Sequence, residues 1–378
     1  MTKAFSRAAC GSLFVILALT GCNRAEQFTT LPSAPPSSAQ TTSLSTTPSP
    51  SISTPSLTQI PQPTPTRPSP SATSTPTLTP TDTPTPTGAS TSLTPPSRGV
   101  KIPDVIGNSG DIEHVVIISI DGLRPDAWEE SDTPLLDTLR AKGAYTAEAQ
   151  TILPSVTLIA HASMLSGMSP EKHGIDWNDY DPARGHINDP TLFSVAHEAG
   201  LSTAMVVGKP KLAHLVLPGS VDNYDYAGFI DRQVVNHALA VIRSGLPDVL
   251  FIHLPDVDTA GHATGWMSSG QLTVIGETDS LVGEIVAELE MGGYLEQTLL
   301  IITADHGGIG KAHGNDSPEE MTIPWLAVGP GVPASLTLKS EIVIYDTAAT
   351  ALYALNLPVP AIWDGRPVLE IFGGESNN

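Results

Sequence analysis

Short apolar runs alternate with longer stretches of helical spacing along the C-terminal part of the chain. The run His114–Ile120 is β-branched and nearly free of polar positions, and it closes on Asp121-Gly122. A run without period-2 alternation has both faces covered, as in a buried parallel strand. Thr203–Gly208, Asp248–Leu254, Thr298–Thr303 and the shorter Trp325–Val328 read the same way. Between them the spacing predicts helices over Thr133–Lys142 and Thr191–Ala199, each followed by a glycine stop, and over Arg232–Arg243, Gln271–Leu289 and Asp346–Leu355. Val156–Leu165 is also compatible with a helix. This alternation predicts an α/β fold: a mostly parallel central sheet with helices on both faces. The interval from His262 to Asp305 is mostly one helix and leaves little room for a cap domain. Leu212–Ile230 reads as the most loop-like insert.

The N-terminal part has a different texture. Between Asn23 and Val100 lie 17 of the 35 prolines and only five charged side chains. Such a Pro/Thr/Ser-rich stretch cannot offset its chain entropy by burial and is expected to be a disordered linker. Ahead of it, Lys3 and Arg7 precede an apolar stretch, Gly11–Leu19, too short to span a bilayer, and then Leu19-Thr20-Gly21-Cys22. This reads as a signal peptide ending in a sequence that resembles the bacterial lipoprotein box, with cleavage before Cys22 and lipidation of its thiol. The expected organisation is a signal peptide over 1–21, a lipid-anchored linker over 22–100 and one catalytic-size domain over 101–378. The protein would be an exported lipoprotein, held to a membrane through Cys22 with its domain outside the cytoplasm. Cys10 and Cys22 are the only cysteines, so the domain has no disulfide.

Charge narrows the partners. The chain carries 18 Lys+Arg against 39 Asp+Glu. The first hundred residues hold five basic and two acidic side chains, leaving 13 basic against 37 acidic in the remainder. So acidic a domain excludes a double-stranded nucleic-acid binder, which needs a basic footprint. Divalent metal would offset part of the charge locally.

Polar side chains follow the predicted strands where an open α/β sheet binds its ligands, beyond the carboxyl ends. Asp121 follows the first, Lys209 and Lys211 the second, Asp256 and Asp258 the third, and Asp305 and His306 the fourth. Asp258 and His262 share a face if that segment is helical, and His313 adds another imidazole. Mixed carboxylate and imidazole ligands suit zinc or a similar divalent ion. Two such ions about 3.5–4 Å apart can clamp both oxygens of an in-line phosphoryl displacement. The nucleophile candidate is Thr157 in Pro154-Ser155-Val156-Thr157, in the first turn of a helix, where free amides favour an anion; by residue type alone, Thr157 or Ser155 also fits a helix cap.

Four stretches together resemble the alkaline phosphatase superfamily in its type I phosphodiesterase/nucleotide pyrophosphatase branch. They are Ile120-Asp121-Gly122; Pro154–His161 running on to Ser166-Gly167 and Pro170–Ile175; Asp258–His262; and Ala304–Gly308 with His313. The resemblance covers nearly all of residues 113–370. It implies a phosphoester hydrolase with two divalent metal ions, zinc being the first choice. Asp121, Asp305 and His306 would hold one ion and Asp258, His262 and His313 the other. Thr157 would be the bridging nucleophile that forms a phospho-threonine, and Asn178 would contact a phosphate oxygen. Asp256 and His253 read as strand-end groups or supports behind the ligands. His161 and His173 read as structural.

Lys209-Pro210-Lys211 departs from what a phosphodiester site needs, because two lysines suit a substrate with an extra negative charge. A phosphomonoesterase or a phosphonoacetate-type hydrolase is therefore the alternative, and a metal-binding lipoprotein without turnover a remote one. A sulfatase needs a Cys or Ser in a C/S-x-P-x-R signature, and it is excluded because the domain has no cysteine and Thr157–His161 does not fit.

Overall fold

The computed structural model describes residues 112–375. The expected signal segment, the lipidation site Cys22 and the Pro/Thr/Ser-rich linker lie outside the described residues.

The chain opens with β1 (His114–Ile120), α1 (Pro125–Glu130), α2 (Pro134–Lys142) and β2 (Ala144–Gln150). Then come α3 (Thr157–Ser166), α4 (Pro170–His173), α5 (Leu192–Glu198), β3 (Thr203–Val207), β4 (Asn223–Tyr226) and α6 (Asp231–Ser244). It continues with β5 (Val249–Leu254), α7 (Asp256–Thr264), α8 (Ser269–Met291), β6 (Thr298–Thr303) and α9 (Pro318–Met321), and closes with β7 (Thr322–Val328), β8 (Leu336–Thr337) and α10 (Asp346–Ala354).

The strands form one sheet in the order β4-β3-β5-β1-β6-β7-β2-β8. Only β7 runs against the rest: it pairs antiparallel with both β6 and β2, and the other pairings are parallel. The expected mostly parallel α/β sheet is observed. One helical layer gathers α1, α2, α6 and α7 around α8; the other gathers α3, α5 and α10. The central strands are buried throughout β5, β6 and, past His114, β1, as their nearly continuous apolar runs require. Each fully buried Val, Ile or Leu stabilises the fold by roughly 1.5–3 kcal/mol.

Three strands go beyond the sequence reading: β2, β4 and the two-residue β8. β4 falls inside the segment read as loop-like, Leu212–Ile230; its Asn-Tyr-Asp-Tyr sequence lacks an apolar run because it is a sheet edge, only partly buried. β2 was hidden by alanines and alternating burial, since one of its faces is partly open. The consequence for function is topological. β3, β5, β1 and β6 are consecutive neighbours, so the four polar strand ends picked out by sequence lie side by side at one edge.

Candidate active site

The register places the ligand-bearing ends level with one another. Ile120 pairs with Leu254, and Ser119 with both His253 and Thr303. Asp121 leaves β1 beside the turn into α7, which carries Asp258 and His262 one helical turn apart, and beside Asp305-His306 after β6. His313 returns from the following loop. Asp258, His262 and His313 bring ligand atoms within 4.8 Å of one another, and so do Asp121, Asp258 and His306. Asp258 thus lies between the two groups. Asp305 Oδ2 is 3.4 Å from His306 Nε2.

Hydrogen bonding fixes the state of the imidazoles. His262 Nδ1 donates to Lys311 O at 2.9 Å, His313 Nδ1 to Ser155 O at 2.8 Å, and His306 Nδ1 to Gly307 O at 2.8 Å. A carbonyl only accepts, so each ring carries a proton on Nδ1 and turns Nε2 toward the cluster. The Nε2 atoms of His262 and His313 face each other at 3.2 Å. A shared proton or a metal ion between them would each suit that approach. Burial, reinforced by His306, lowers the His313 pKa to about 4, and burial also lowers that of His306. Both are neutral at neutral pH, the form a metal needs.

The carboxylates add to this. Asp121 Oδ1, Asp258 Oδ1, Asp305 Oδ2 and His306 Nε2 are buried with no hydrogen-bond partner among the described residues. Orphaned buried acceptors are costly, and four converging on one place fit a divalent cation. The other carboxylate oxygens are anchored. Asp305 Oδ1 accepts from the amides of Gly122 and His306, each at 3.0 Å. His253 Nδ1 accepts from Gly208 N, so its Nε2–H donates to Asp121 Oδ2 at 2.8 Å. His253 therefore supports a candidate ligand from behind.

Lys209 is drawn into the cluster. Its Nζ lies 2.7 Å from Asp121 Oδ2, 2.6 Å from Asp258 Oδ2 and 3.3 Å from Thr157 Oγ1. Burial works against its charge, but Asp121 and Asp258 outweigh that and raise its pKa. Burial likewise opposes ionisation of Asp121, yet Lys209 and His253 hold its pKa well below the usual carboxylate range. Burial and the neighbouring Asp121 charge push Asp305 well above it.

Thr157 is the first residue of α3 and is buried. The preceding Val156 has extended backbone and no side-chain cap, so the helix amides are open except where Asn178 reaches them. Asn178 Oδ1 accepts from Leu158 N at 3.0 Å and from Lys211 Nζ at 3.2 Å. With its oxygen committed to two donors, Asn178 keeps its Nδ2–H groups for another acceptor. Burial, then repulsion from Lys209, lowers the Lys211 pKa. Thr157, Lys209, Lys211 and Asn178 thus form one linked group beside the ligand cluster.

The supporting residues divide. His161 Nδ1 donates to Thr157 O at 2.7 Å and its Nε2 accepts from Ser119 Oγ at 2.9 Å, so it braces the helix turn that carries Thr157. His173 bonds Ser163 Oγ and the Ile175 amide, away from the cluster. Asp256 turns away as well: its carboxylate accepts from Asp231 N at 3.0 Å, and its own amide donates to Asp231 Oδ1 at 2.9 Å. Ser155 caps no helix; its Oγ donates to Asn315 O and accepts from Gly314 N, tying the entry of α3 to the loop that presents His313. Nothing in the sequence marks Ser155 or Ser119 for these roles, because each depends on a distant chain segment.

The family model for type I phosphodiesterase / nucleotide pyrophosphatase matches residues 115–314, more than half of the chain. The chain belongs to that family. Among curated type I phosphodiesterase relatives, an uncharacterised pyrophosphatase/phosphodiesterase of Schizosaccharomyces pombe is 27% identical over 216 residues, covering 51% of this chain and 44% of that protein. A bis(5'-adenosyl)-triphosphatase of Mus musculus is 25% identical over 223 residues, covering 53% of this chain and 49% of that protein. The chain therefore spans about half the length of the curated relatives it matches. Among solved structures, human ectonucleotide pyrophosphatase/phosphodiesterase 5 superposes with a TM-score of 0.60 at 16% identity, over 69% of this chain and 100% of that one. That likeness establishes the shared fold.

Proposed function

We propose that the protein is a two-metal phosphoester hydrolase that works through a covalent phospho-threonine at Thr157, with phosphodiesters or nucleotide pyrophosphates as substrates. The observation that carries this is the position of the Thr157 hydroxyl: 3.3 Å from the Lys209 ammonium, which itself touches both Asp121 and Asp258. A nucleophile-type oxygen at a helix N-terminus beside converging carboxylates and imidazoles suits phosphoryl transfer.

Asp121, Asp305 and His306 would hold one divalent ion, and Asp258, His262 and His313 the other, with zinc first in line from the mixed N/O donors. Bound metal would supply Lewis acidity toward phosphate oxygens and lower the pKa of a hydroxyl. The chain's own groups do the rest. Thr157 Oγ1 gives up its proton and forms a bond to phosphorus as the bond to the leaving oxygen breaks on the opposite side, and the leaving group departs with a proton as the free alcohol or phosphate. Water then attacks phosphorus, the Thr157–phosphorus bond breaks and the hydroxyl is restored, so one water is consumed per turnover. Asn178 Nδ2–H meets a non-bridging oxygen, and its carbonyl, held by Leu158 N, keeps it aimed. His161 fixes the first turn of α3 while this happens.

A second reading is favoured by one observation: Lys211 bonds Asn178 and Lys209 approaches Thr157, so two ammonium groups line the same side. That suits a phosphomonoester or phosphonate with an extra negative charge. Comparing kcat/KM of the zinc-loaded full chain on an aryl phosphodiester and an aryl phosphomonoester, with a chelator-stripped control, separates the two. Faster diester cleavage supports the first reading; faster monoester cleavage makes the lysines the phosphate clamp. The same proposal places the enzyme on an exported lipoprotein, anchored through Cys22 by a long Pro/Thr/Ser-rich tether. Metabolic labelling with a fatty acid, lost in Cys22→Ser, tests the anchor.

A further inference from the structure

Trp266 was not singled out by any motif, yet it touches all three segments that carry the candidate ligands. Its indole packs edge-on against His262 with ring centroids 5.2 Å apart, and lies 5.8 Å from the ring of His313. Its Nε1 donates to Gly122 O, one residue past Asp121, at 2.9 Å. Its backbone amide donates to Gly310 O at 2.8 Å, in the loop between His306 and His313.

Three glycines of the ligand motifs make room for this ring. A Cβ at Gly261 would fall 2.7 Å from Trp266 Cε2, one at Gly308 2.3 Å from the same atom, and one at Gly122 3.3 Å from Cζ2. Gly122 has φ +75° and needs glycine for its backbone alone. Gly261 and Gly308 have no such positive φ, so their backbones would accept any residue. Gly261 sits inside α7, where glycine costs roughly 0.5–1 kcal/mol relative to alanine. What the two positions share is the indole face that fills the place of their side chains.

We propose that Trp266 is a positioning residue, a wedge between the Gly261 and Gly308 backbones that sets the His262 and His313 rings so that their Nε2 atoms converge. The inference rests on the two-metal reading above and deepens it. A wedge acts on one ion more than the other, because His262 and His313 share a ligand group that His306 does not complete.

The test is a calorimetric titration of the metal-stripped full chain with Zn²⁺. Trp266→Ala is expected to weaken one of the two equivalents by about 10- to 100-fold, as loss of a group orienting a ligand does, and to leave the other unchanged. Trp266→Phe, which keeps a ring in the cradle, should recover most of that loss. Gly261→Ala should weaken the same equivalent in the wild-type background and add nothing in Trp266→Ala, because the three atoms nearest its Cβ all belong to the indole that is then gone. Should Trp266→Ala fail to fold, Gly308→Ala puts a Cβ 2.3 Å from Trp266 Cε2, so the indole must shift and the same equivalent should weaken. Two wild-type-like equivalents in Trp266→Ala or Gly308→Ala, or strictly additive losses in the Gly261 and Trp266 pair, overturn the wedge alone. A wild-type chain that takes up no zinc overturns the two-metal reading and the wedge with it.

Discussion

Lys209 and Asp121 form a buried ion pair, Nζ to Oδ2 at 2.7 Å, inside the cluster of candidate metal ligands. The same ammonium reaches Asp258 at 2.6 Å, so one side chain neutralises carboxylates from two strand ends. In metal-free protein it would be the chief internal cation of the site. Lys209→Met should therefore destabilise the metal-free chain by about 3–5 kcal/mol, the usual cost of stranding a buried charge. Zinc should recover much of this, since it supplies the missing positive charge. Urea unfolding with zinc and with chelator measures both, and equal stability of variant and wild type without metal would count against the pairing.

Asn178 has two separable duties. Its carbonyl oxygen accepts from Leu158 N and Lys211 Nζ, and its amide is the free donor. Asn178→Asp keeps an acceptor for both partners but removes the donor. It should retain stability while lowering kcat by about 10²–10³-fold, the usual effect of losing one donor to a developing anion. Asn178→Ala should lose the same activity and also about 1 kcal/mol of stability, because an open helix amide loses its acceptor. Unchanged kcat in Asn178→Asp would remove the residue from the chemistry.

The fold was legible where burial on both faces made the code simple. β1, β3, β5 and β6 are mainly apolar runs, broken inside only by Ser119 and His253, and the polar residues that follow them lie along one edge of the sheet. β4 was not, because an edge strand of Asn-Tyr-Asp-Tyr needs no apolar run; nor was β2, whose alanines carry little signal. At the site, five of the carboxylates and imidazoles picked out by sequence, Asp121, Asp258, His262, His306 and His313, are brought together by the fold. Lys209 was legible as a cation near a strand end but not as the partner of Asp121 and Asp258, which is a fact of register. Trp266 was not legible because its role depends on side chains that Gly261 and Gly308 lack.

Asp231 and Asp256 exchange amide hydrogen bonds between the starts of α6 and α7, with Thr278 Oγ1 donating to Asp231 at 2.6 Å. Burial, then the Asp256 charge, pushes the Asp231 pKa from 3.8 up to about 7. A pKa higher in the fold than in the unfolded chain means stability is full below the unfolded value and is lost as pH rises through the folded one. Between about pH 4 and pH 7 the wild type should lose stability relative to Asp231→Asn, and the gap should then level off. A difference that does not vary with pH would contradict this.

The most direct test of the central claim is Thr157→Ala in the zinc-loaded full chain, assayed on an aryl phosphodiester and an aryl phosphomonoester beside a zinc titration. The account predicts two bound equivalents, as in wild type, and turnover of both substrates at background. Turnover at the wild-type rate with metal in place would contradict it, because the Thr157 hydroxyl beside Lys209 would then form no covalent intermediate.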